Sequence, residues 1–383
     1  MAHALVLGAS GLCGWGTVEQ LLLNYPKHGT FSTVTALVNR PLEVKDSYWP
    51  TSKSTPHLNL VSGIDLLSEN HDEFVKSVQE QVLHIDSVTH IFYFAYRQEH
   101  DPELEVRLNL RMLSNIVETI EQLSPNLKFV AFPSGTKAYG IQVPGGALTA
   151  PLKESMVLSS EHDDKVYYTA FQRYLSEASK GKLWTWCDVR PDAIIGFTPH
   201  GSNFNLTAHW ANYLSTFALV EGKGTRVPYP GVQSAYASRY TEVSASTIAR
   251  FVIWASLHPE RTGGQVFNIA DQAKPSTMED RWPALCRYFG VEGIGPSIDP
   301  ANPSLVPGDY LQKHKNVLEE RGIKGSQVFR SEFLDGYGYH FTFDRQLSLE
   351  KLRQVGFEEE IDPNIGWFKA FDRFREAGMI PKS

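Results

Sequence analysis

The sequence predicts an α/β fold in which helices cover both faces of a parallel sheet. Short apolar runs alternate with amphipathic helical patterns over the first half of the chain. These apolar runs are continuous, as expected for parallel strands buried on both faces. A glycine-rich turn joins the first predicted strand to the first predicted helix. Strand, helix and strand in this order indicate a doubly wound sheet.

The predicted strands are short runs rich in β-branched and aromatic residues. The first, HALVLGA at 3–9, leads into the glycine-rich turn, and FSTVTALVNR at 31–40 is rich in valine and threonine. The later strands are predicted at 57–65, 88–96, 127–135 and 185–196.

The predicted helices carry apolar residues three and four positions apart, which places those residues on one face. Leucines form that face in 14–26, and HDEFVKSVQEQV at 71–82 is amphipathic. Two longer helices are predicted at 105–123 and 166–180. Each follows a strand, so each can return the chain to a parallel neighbour.

Beyond about residue 197 the alternation breaks down. We expect residues 1–196 to form the sheet domain and residues 197–383 mainly a smaller substrate-binding lobe, with part of the chain returning to the sheet. Within the lobe, a helix is predicted over 241–258 and a short strand over 265–271. Whether the tail after residue 300 caps a pocket or packs beneath it stays open.

The composition excludes several classes of protein. Apolar residues make up 42% and charged residues 21% of the chain, and the formal net charge is −7, which disfavours nucleic-acid binding. Three scattered cysteines form no CxxC pair, so we expect no disulfides and a cytoplasmic location. The histidines show no metal-binding spacing, and no apolar run reaches the roughly 18 residues of a membrane span. We therefore expect neither a metal nor a membrane span.

The turn LVLGASGLCGWG has the spacing of a dinucleotide-binding loop, with Gly8, Gly11 and Gly14 three positions apart. Glycines there allow a tight turn, a close approach of backbone to pyrophosphate, and close packing of helix on strand. The first helical N–H groups would bind the phosphates, so Ser10 and Leu12 join the predicted cofactor contacts. The sequence thus predicts a Rossmann-type domain. The alternative is an ordinary glycine-rich turn.

The end of the second predicted strand favours NADP(H) over NAD(H). An NAD site has an acidic residue there, whereas this chain has Asn39 and Arg40. A guanidinium suits a 2′-phosphate. Asp65 and Leu66 follow the third predicted strand, where a carboxylate can accept the adenine amino group. Arg40 as a solvated surface residue and Asp65 as a plain turn residue remain alternatives.

Catalytic candidates follow the fifth predicted strand and open the next helix. SGTK supplies Ser134 and Lys137, and VYY supplies Tyr167 and Tyr168. Reduction of a carbonyl, or of an alkene conjugated to one, places negative charge on oxygen, which a phenol can stabilise and a nearby ammonium can support. The chain contains no Y-x-x-x-K. A core tyrosine and a surface lysine are the alternative interpretation.

The motifs GASGLCG, VTHIFYFAY, SGTKAYG, VYY, WTWCDVRPDAIIGFTPH and FNIAD together make the chain resemble the extended short-chain dehydrogenase/reductases. More closely, the chain resembles their progesterone 5β-reductase/iridoid synthase-like subgroup. The resemblance implies that Lys137 and Tyr167 are catalytic, with Tyr168 the fallback. It also implies NADPH-dependent reduction of an enone or enal in an apolar carbonyl compound such as a terpenoid or steroid. The β-carbon would receive hydride, Tyr167 would stabilise the enolate oxygen, and Lys137 would assist.

The same resemblance extends the predicted site. It places Ala95, Pro191 and Ile194 beside the cofactor. Lys137 and Tyr167 would contact the cofactor as well. Tyr96 and Ser134 would contact both cofactor and substrate. The aromatic stretch from Phe204 to Phe217, which includes Trp210, either packs in the core or lines a pocket for an apolar substrate, and we expect Phe204 to contact the substrate. The chain departs from the family where Asn39 replaces the first of two arginines, where YYTAFQ replaces YYxxED, and where Tyr96 replaces a tryptophan.

Other functions are compatible with the same residues. The Tyr/Lys pair equally permits reduction of a ketone or aldehyde to an alcohol. The fold also serves NADP(H)-binding regulators, and a non-redox role such as steering a cyclisation is a further possibility. By analogy with the family, a homodimer is possible.

Overall fold

The computed structural model describes residues 2–51, 55–202, 204–298, 304–325 and 332–382. The strands, in chain order, are β1 (Ala2–Leu7), β2 (Phe31–Val38), β3 (His57–Ser62), β4 (His90–Tyr93), β5 (Phe129–Pro133), β6 (Thr185–Arg190), β7 (Ala193–Ile195), β8 (Arg226–Pro228), β9 (Glu242–Ser244), β10 (Gln265–Asn268) and β11 (Glu292–Ile294).

The helices, in chain order, are α1 (Leu12–Leu22), α2 (Val44–Ser47), α3 (His71–Gln81), α4 (Pro102–Leu123), α5 (Ser160–Asp164), α6 (Tyr167–Ala178), α7 (Leu206–Glu221), α8 (Gln233–Ala237), α9 (Ala245–Leu257), α10 (Pro259–Thr262), α11 (Met278–Tyr288), α12 (Pro307–Lys313), α13 (Lys315–Glu320), α14 (Glu332–Asp335), α15 (Tyr337–His340), α16 (Glu350–Gln354) and α17 (Pro363–Glu376).

A seven-stranded parallel sheet forms the centre of the molecule, in the order β10-β6-β5-β4-β1-β2-β3. The strand order reverses between β1 and β4, and a doubly wound sheet binds its ligand at the carboxyl ends of the strands beside such a switch point. This topology confirms the predicted α/β fold with a Rossmann-type sheet.

Alternate side chains of each strand enter two different cores. Val6 of β1 packs in the core that contains Val18 of α1 and Ile248 of α9. Its neighbour Leu5 packs on the opposite face, in the core that contains Leu113 of α4. Because both faces are covered, the strands are apolar at most positions, which matches the apolar runs seen in the sequence.

The strand predicted over 185–196 is in fact two strands, so this prediction was wrong. β6 stays in the central sheet, while β7 leaves it and pairs with β9 in a separate two-stranded sheet. Pro191 lies at the break and has no N–H for a ladder. The break places Pro191 and Asp192 at the carboxyl edge of the sheet, beside the cavity described below.

The helix predicted over 241–258 also needs correction, because its first residues form β9 and α9 begins at Ala245. α9 lies against α1, where a Cβ on Gly16 would be 3.1 Å from Ala245. After α9 the chain adds β10 to the sheet beside β6. The part of the chain beyond residue 197 therefore builds one edge of the central sheet.

A buried carboxylate, Glu242 of β9, holds several later elements of the chain together. It is 2% exposed and accepts hydrogen bonds from Arg281, Tyr240, Ser276 and Trp367, the last at 3.1 Å from α17. A charge buried at this depth is tolerated only when it is paired and fully hydrogen-bonded. This cluster fixes α11 and α17 against β9.

Candidate functional site

A cavity of about 820 Å³ lies at the carboxyl ends of the central strands. Its wall contains the glycine-rich turn, the segment after β5, the start of α6, and residues 333–345 near the end of the chain. The cavity thus lies where a doubly wound sheet binds its ligand.

The glycine-rich turn forms a cradle that side chains would fill. Gly8 has φ +68°, and a Cβ there would lie 2.6 Å from the carbonyl carbon of Phe94. A Cβ on Gly14 would lie 2.8 Å from the carbonyl carbon of Gly8. α1 begins after Gly11 with no side-chain cap and no acidic residue in its first turn. Its free N–H groups and positive dipole end therefore suit the pyrophosphate of a dinucleotide.

The rest of the predicted loop contacts lie where such a cofactor would run. Ser10, Gly11 and Leu12 line the cavity. The carbonyl of Ser10 accepts a hydrogen bond from Thr198 Oγ1 at 2.7 Å, which ties the turn to the segment after β7. The residues present fit a dinucleotide.

After β2, the two adjacent residues predicted to bind the cofactor differ in position. Asn39 lines the cavity, whereas Arg40 is exposed and is not among the lining residues. Asp65 and Leu66 also line the cavity, and Asp65 Oδ1 accepts the backbone N–H of Leu67 at 3.0 Å. One oxygen of that carboxylate is therefore already used in a local turn.

Lys137 lies on a short 3₁₀ turn, Thr136–Tyr139, directly after β5. Its side chain is exposed and lines the cavity. The turn is anchored on two sides: Thr136 Oγ1 donates to Asp192 Oδ1 at 3.3 Å, and His162 Nε2 donates to the carbonyl of Lys137 at 2.9 Å. The lysine thus has a fixed backbone and an exposed side chain beside the cavity.

Tyr167 and Tyr168 are the first two residues of α6, and both line the cavity. Their ring centroids are 4.5 Å apart. Tyr167 is partly exposed and stacks on Tyr96 at 5.2 Å. Tyr168 is buried, and its hydroxyl lies 3.0 Å from the position that a Cβ on Gly135 would take. The Tyr168 phenol therefore lies against the segment that carries Lys137, and Tyr167 lies beside Tyr168.

Both phenols are held protonated. Burial raises the pKa of Tyr167, and the neighbouring Tyr168 and Tyr96 raise it further. Burial also raises the pKa of Tyr168, although the hydrogen bond with Tyr167 and the charge of Arg190 oppose this. At neutral pH each group is a hydrogen-bond donor and a potential proton donor.

A buried network fixes Ser134 at the end of β5. Its hydroxyl accepts from Arg190 Nε at 3.3 Å, and its N–H donates to Asp188 Oδ1 at 3.1 Å. Asp188 is fully buried, and its other oxygen accepts from Gln172 at 2.7 Å. Gln172 occupies the position four residues after Tyr168. A Y-x-x-x-K sequence would have its lysine at this position. In this chain the Gln172 amide instead links α6 to β6 through its hydrogen bond to Asp188.

The remaining predicted residues also line the cavity. Ala95, Pro191 and Ile194 lie in its wall, as do Tyr96 and Phe204. The hydroxyl of Tyr96 donates to Glu105 Oε2 at 2.9 Å, and its ring lies 6.3 Å from that of Phe204. By contrast Trp210, which the sequence left open as core or pocket, is 1% exposed and packs in the core.

The cavity wall near the end of the chain was not predicted. This wall consists of Phe333, Leu334, Tyr337, Phe341 and Arg345. A signal was present, since the stretch FLDGYGYHFTF is dense in aromatic residues. No periodicity connects that stretch to the sheet, so its position could not be derived from the sequence.

The described residues contain neither a metal-binding cluster nor a membrane-spanning helix. No group of three or more His, Cys, Asp or Glu side chains is arranged to hold a metal ion. No described helix is both long and apolar enough to cross a membrane.

A family model described as a PRISE-like Rossmann-fold domain matches residues 4–381. The chain belongs to this PRISE-like family. The short chain dehydrogenase ausT of Aspergillus calidoustus is 33% identical over 99% of this chain and 94% of its own length. The 3-oxo-Delta(4,5)-steroid 5-beta-reductase of Arabidopsis thaliana is 25% identical over 99% and 93%. The (S)-8-oxocitronellyl enol synthase ISY2 of Nepeta cataria is 28% identical over 98% and 86%.

Solved structures show the same fold at low identity. Vestitone reductase from alfalfa superposes with a TM-score of 0.59 at 15% identity, covering 99% of this chain and 100% of its own. The family match and the 33% identical short chain dehydrogenase place the chain among the oxidoreductases of the short-chain dehydrogenase/reductase superfamily, and they confirm the resemblance noted in the sequence.

Proposed function

We propose that this PRISE-like protein is an NADPH-dependent reductase of an activated C=C bond in a mid-sized apolar enone or enal. One observation supports this most directly: Lys137 and the Tyr167–Tyr168 pair line the same cavity as the glycine-rich cradle. The lysine comes from the turn after β5, and the tyrosines come from the start of α6.

The side chains can stabilise the charge that such a reduction creates. A reduced nicotinamide bound in the cradle would supply the hydride. The phenol of Tyr167 would donate a hydrogen bond to the carbonyl oxygen as it becomes an enolate oxygen. The Lys137 ammonium, beside the same cavity, would favour this charge and hold the cofactor ribose. Tyr168 offers a second phenol within the same pair.

The surroundings favour an apolar substrate. The cavity wall contains the rings of Tyr96, Phe204, Phe333 and Phe341. The same 820 Å³ must also accept the cofactor, so the substrate occupies only part of it. The Arabidopsis relative is a reductase of a 3-oxo steroid with a conjugated double bond, which supports the reaction class.

NADPH is the proposed cofactor because no acidic side chain ends β2, where an NAD site would hold the ribose hydroxyl. Asn39 and Arg40 stand there. Arg40 is exposed, so its side chain is free to turn toward a 2′-phosphate when the cofactor binds.

The test is to mix the purified protein with NADPH and a panel of enones, enals and ketones. Absorbance reports cofactor consumption, and the product structures report the bond reduced. Saturated ketones or aldehydes support the proposal, whereas alcohols indicate a carbonyl reductase. Tight NADPH binding without consumption on any substrate would indicate a non-redox role, as in a cyclase or a cofactor-sensing regulator.

A further inference from the structure

Tyr337 of α15 is a buried residue of the cavity wall, and its side chain carries a hydroxyl group. The residue is 8% exposed and lines the cavity beside Leu334, Phe341 and Arg345. Nothing in the reaction proposed above uses it.

Arg345 fixes the direction of hydrogen bonding at Tyr337. Arg345 Nη2 donates to the phenol oxygen at 2.7 Å. A guanidinium has donors only, so the phenol oxygen is the acceptor and its single proton remains to be donated. Among the described residues no acceptor for this proton lies within hydrogen-bonding distance. A buried donor left unpaired is costly, and the cavity is the place where a partner can come from.

Arg345 itself cannot easily turn away. Its Nε donates to Asp192 Oδ1 at 3.3 Å, and its Cζ lies 4.4 Å from the ring centre of Phe341 and 5.0 Å from that of Tyr240. Side chains boxed in this way keep their geometry when a ligand enters.

The ion pair between Arg345 and Asp192 connects Tyr337 to the turn that carries Lys137. Asp192 also accepts from Thr136 Oγ1 at 3.3 Å, and Thr136 precedes Lys137 on its turn. The donor at Tyr337 therefore has a fixed position relative to Lys137. Two polar sites at a fixed separation can select a substrate that carries two polar groups at the same separation.

The local charge favours a neutral partner. The positive charge of Arg345 is already paired with Asp192. Burial raises the pKa of Tyr337, so at neutral pH the phenol is an uncharged donor. A carboxylate would meet the negative charge of Asp192 nearby, whereas a carbonyl oxygen would not.

We propose that Tyr337 binds a second, unconjugated carbonyl oxygen of the substrate, so that the site selects apolar enones or enals that carry two carbonyl groups. The role of the first carbonyl rests on the proposed function. The role of the second rests only on the hydrogen bonding at Tyr337.

The test uses the enzyme loaded with NADP⁺, which prevents turnover, and two probes with one carbon skeleton. One probe is a fused bicyclic enedione, and the other is the enone that lacks only the unconjugated carbonyl. We expect calorimetry to show that the wild type binds the enedione about 10-fold more tightly, as one hydrogen bond implies. Tyr337→Phe should bind both probes with the wild-type affinity for the simple enone.

Tyr229→Phe is the matched control. It removes another buried phenol hydroxyl, one that has no partner among the described residues and lies outside the cavity wall. This variant should keep the 10-fold preference. The wild-type comparison needs no variant, so it decides the question even if Tyr337→Phe fails to fold.

Equal binding of the two probes by the wild type, or binding of neither, would overturn the proposal. So would a Tyr337→Phe enzyme that keeps the preference, or a Tyr229→Phe enzyme that loses it. The proposed function fails separately if the NADPH-loaded wild type shows the binding preference but leaves the double bond of both probes intact.

Discussion

Two adjacent tyrosines reach the same cavity, but their surroundings differ. Tyr167 is partly exposed and stacks on Tyr96, while the hydroxyl of the buried Tyr168 lies over Gly135. The sequence predicted that one of this pair meets Lys137 across the cofactor crevice. The structure brings both to the cavity, so the choice between them is a question for kinetics.

We predict that Tyr167→Phe lowers turnover by about 10²-fold or more, in line with the loss of a general acid–base group. Stopped-flow measurement of NADPH oxidation with a good enone substrate would check this. Tyr168→Phe is the control, and it should retain most of the activity. The reverse result, an inactive Tyr168→Phe with a nearly normal Tyr167→Phe, would move the catalytic role by one residue.

Arg40 tests the cofactor assignment. We predict that Arg40→Ala weakens NADPH binding by about 10-fold, the loss of one charge-assisted contact, and leaves NADH binding unchanged. Fluorescence titration of both cofactors would measure this. Arg107→Ala, which removes an exposed arginine on α4, should change neither affinity. Unchanged NADPH affinity in Arg40→Ala would show that the end of β2 does not bind the 2′-phosphate.

At the scale of elements, the sequence predicted the strands and turns whose position depends only on a local pattern of residues. The continuous apolar runs located the strands of the central sheet, and glycine spacing located the turn into α1. Within the run 185–196, Pro191 marks a break, but the change of partner strand from β5 to β9 is non-local and could not be read from the pattern. Likewise, Glu242–Ser244 is a strand because β7 pairs with it, which is a non-local cause.

β1 carries a buried histidine that should make folding sensitive to acid. His3 Nε2 lies 2.8 Å from Thr35 Oγ1, and its Nδ1 lies 2.9 Å from Ser87 Oγ. Burial lowers the pKa of His3 to about 4, whereas an unfolded histidine titrates near 6.5. The folded state therefore takes up this proton less readily than the unfolded state. The resulting stability is present above about pH 6.5 and is lost as the pH falls towards 4.

We predict that the free energy of unfolding, measured with urea at several pH values, falls between pH 6.5 and 4. His3→Gln should be less stable than the wild type at pH 7 but should lose less stability on acidification. His71→Gln, at the partly exposed first residue of α3, is the control and should follow the wild-type profile. A His3→Gln profile parallel to that of the wild type would show that His3 is not the source of the acid sensitivity.

At the scale of the whole molecule, the end of the chain completes the site. Arg345 pairs with Asp192, which lies 153 residues earlier in the sequence. The glycine-rich turn, the lysine and the tyrosines could be predicted because each belongs to a motif at a strand end or helix start. The wall from Phe333 to Arg345 could not, because its contacts join segments that share no local pattern.

We infer that the two ends of this chain enclose a site for C=C reduction. The experiment that decides this uses NADPH that carries deuterium at its transferable position, an enone substrate and NMR of the product. We predict deuterium on the carbon β to a retained carbonyl, and loss of this product in Lys137→Met. Deuterium on a newly formed carbinol carbon, with the double bond intact, would show that the protein reduces the carbonyl instead.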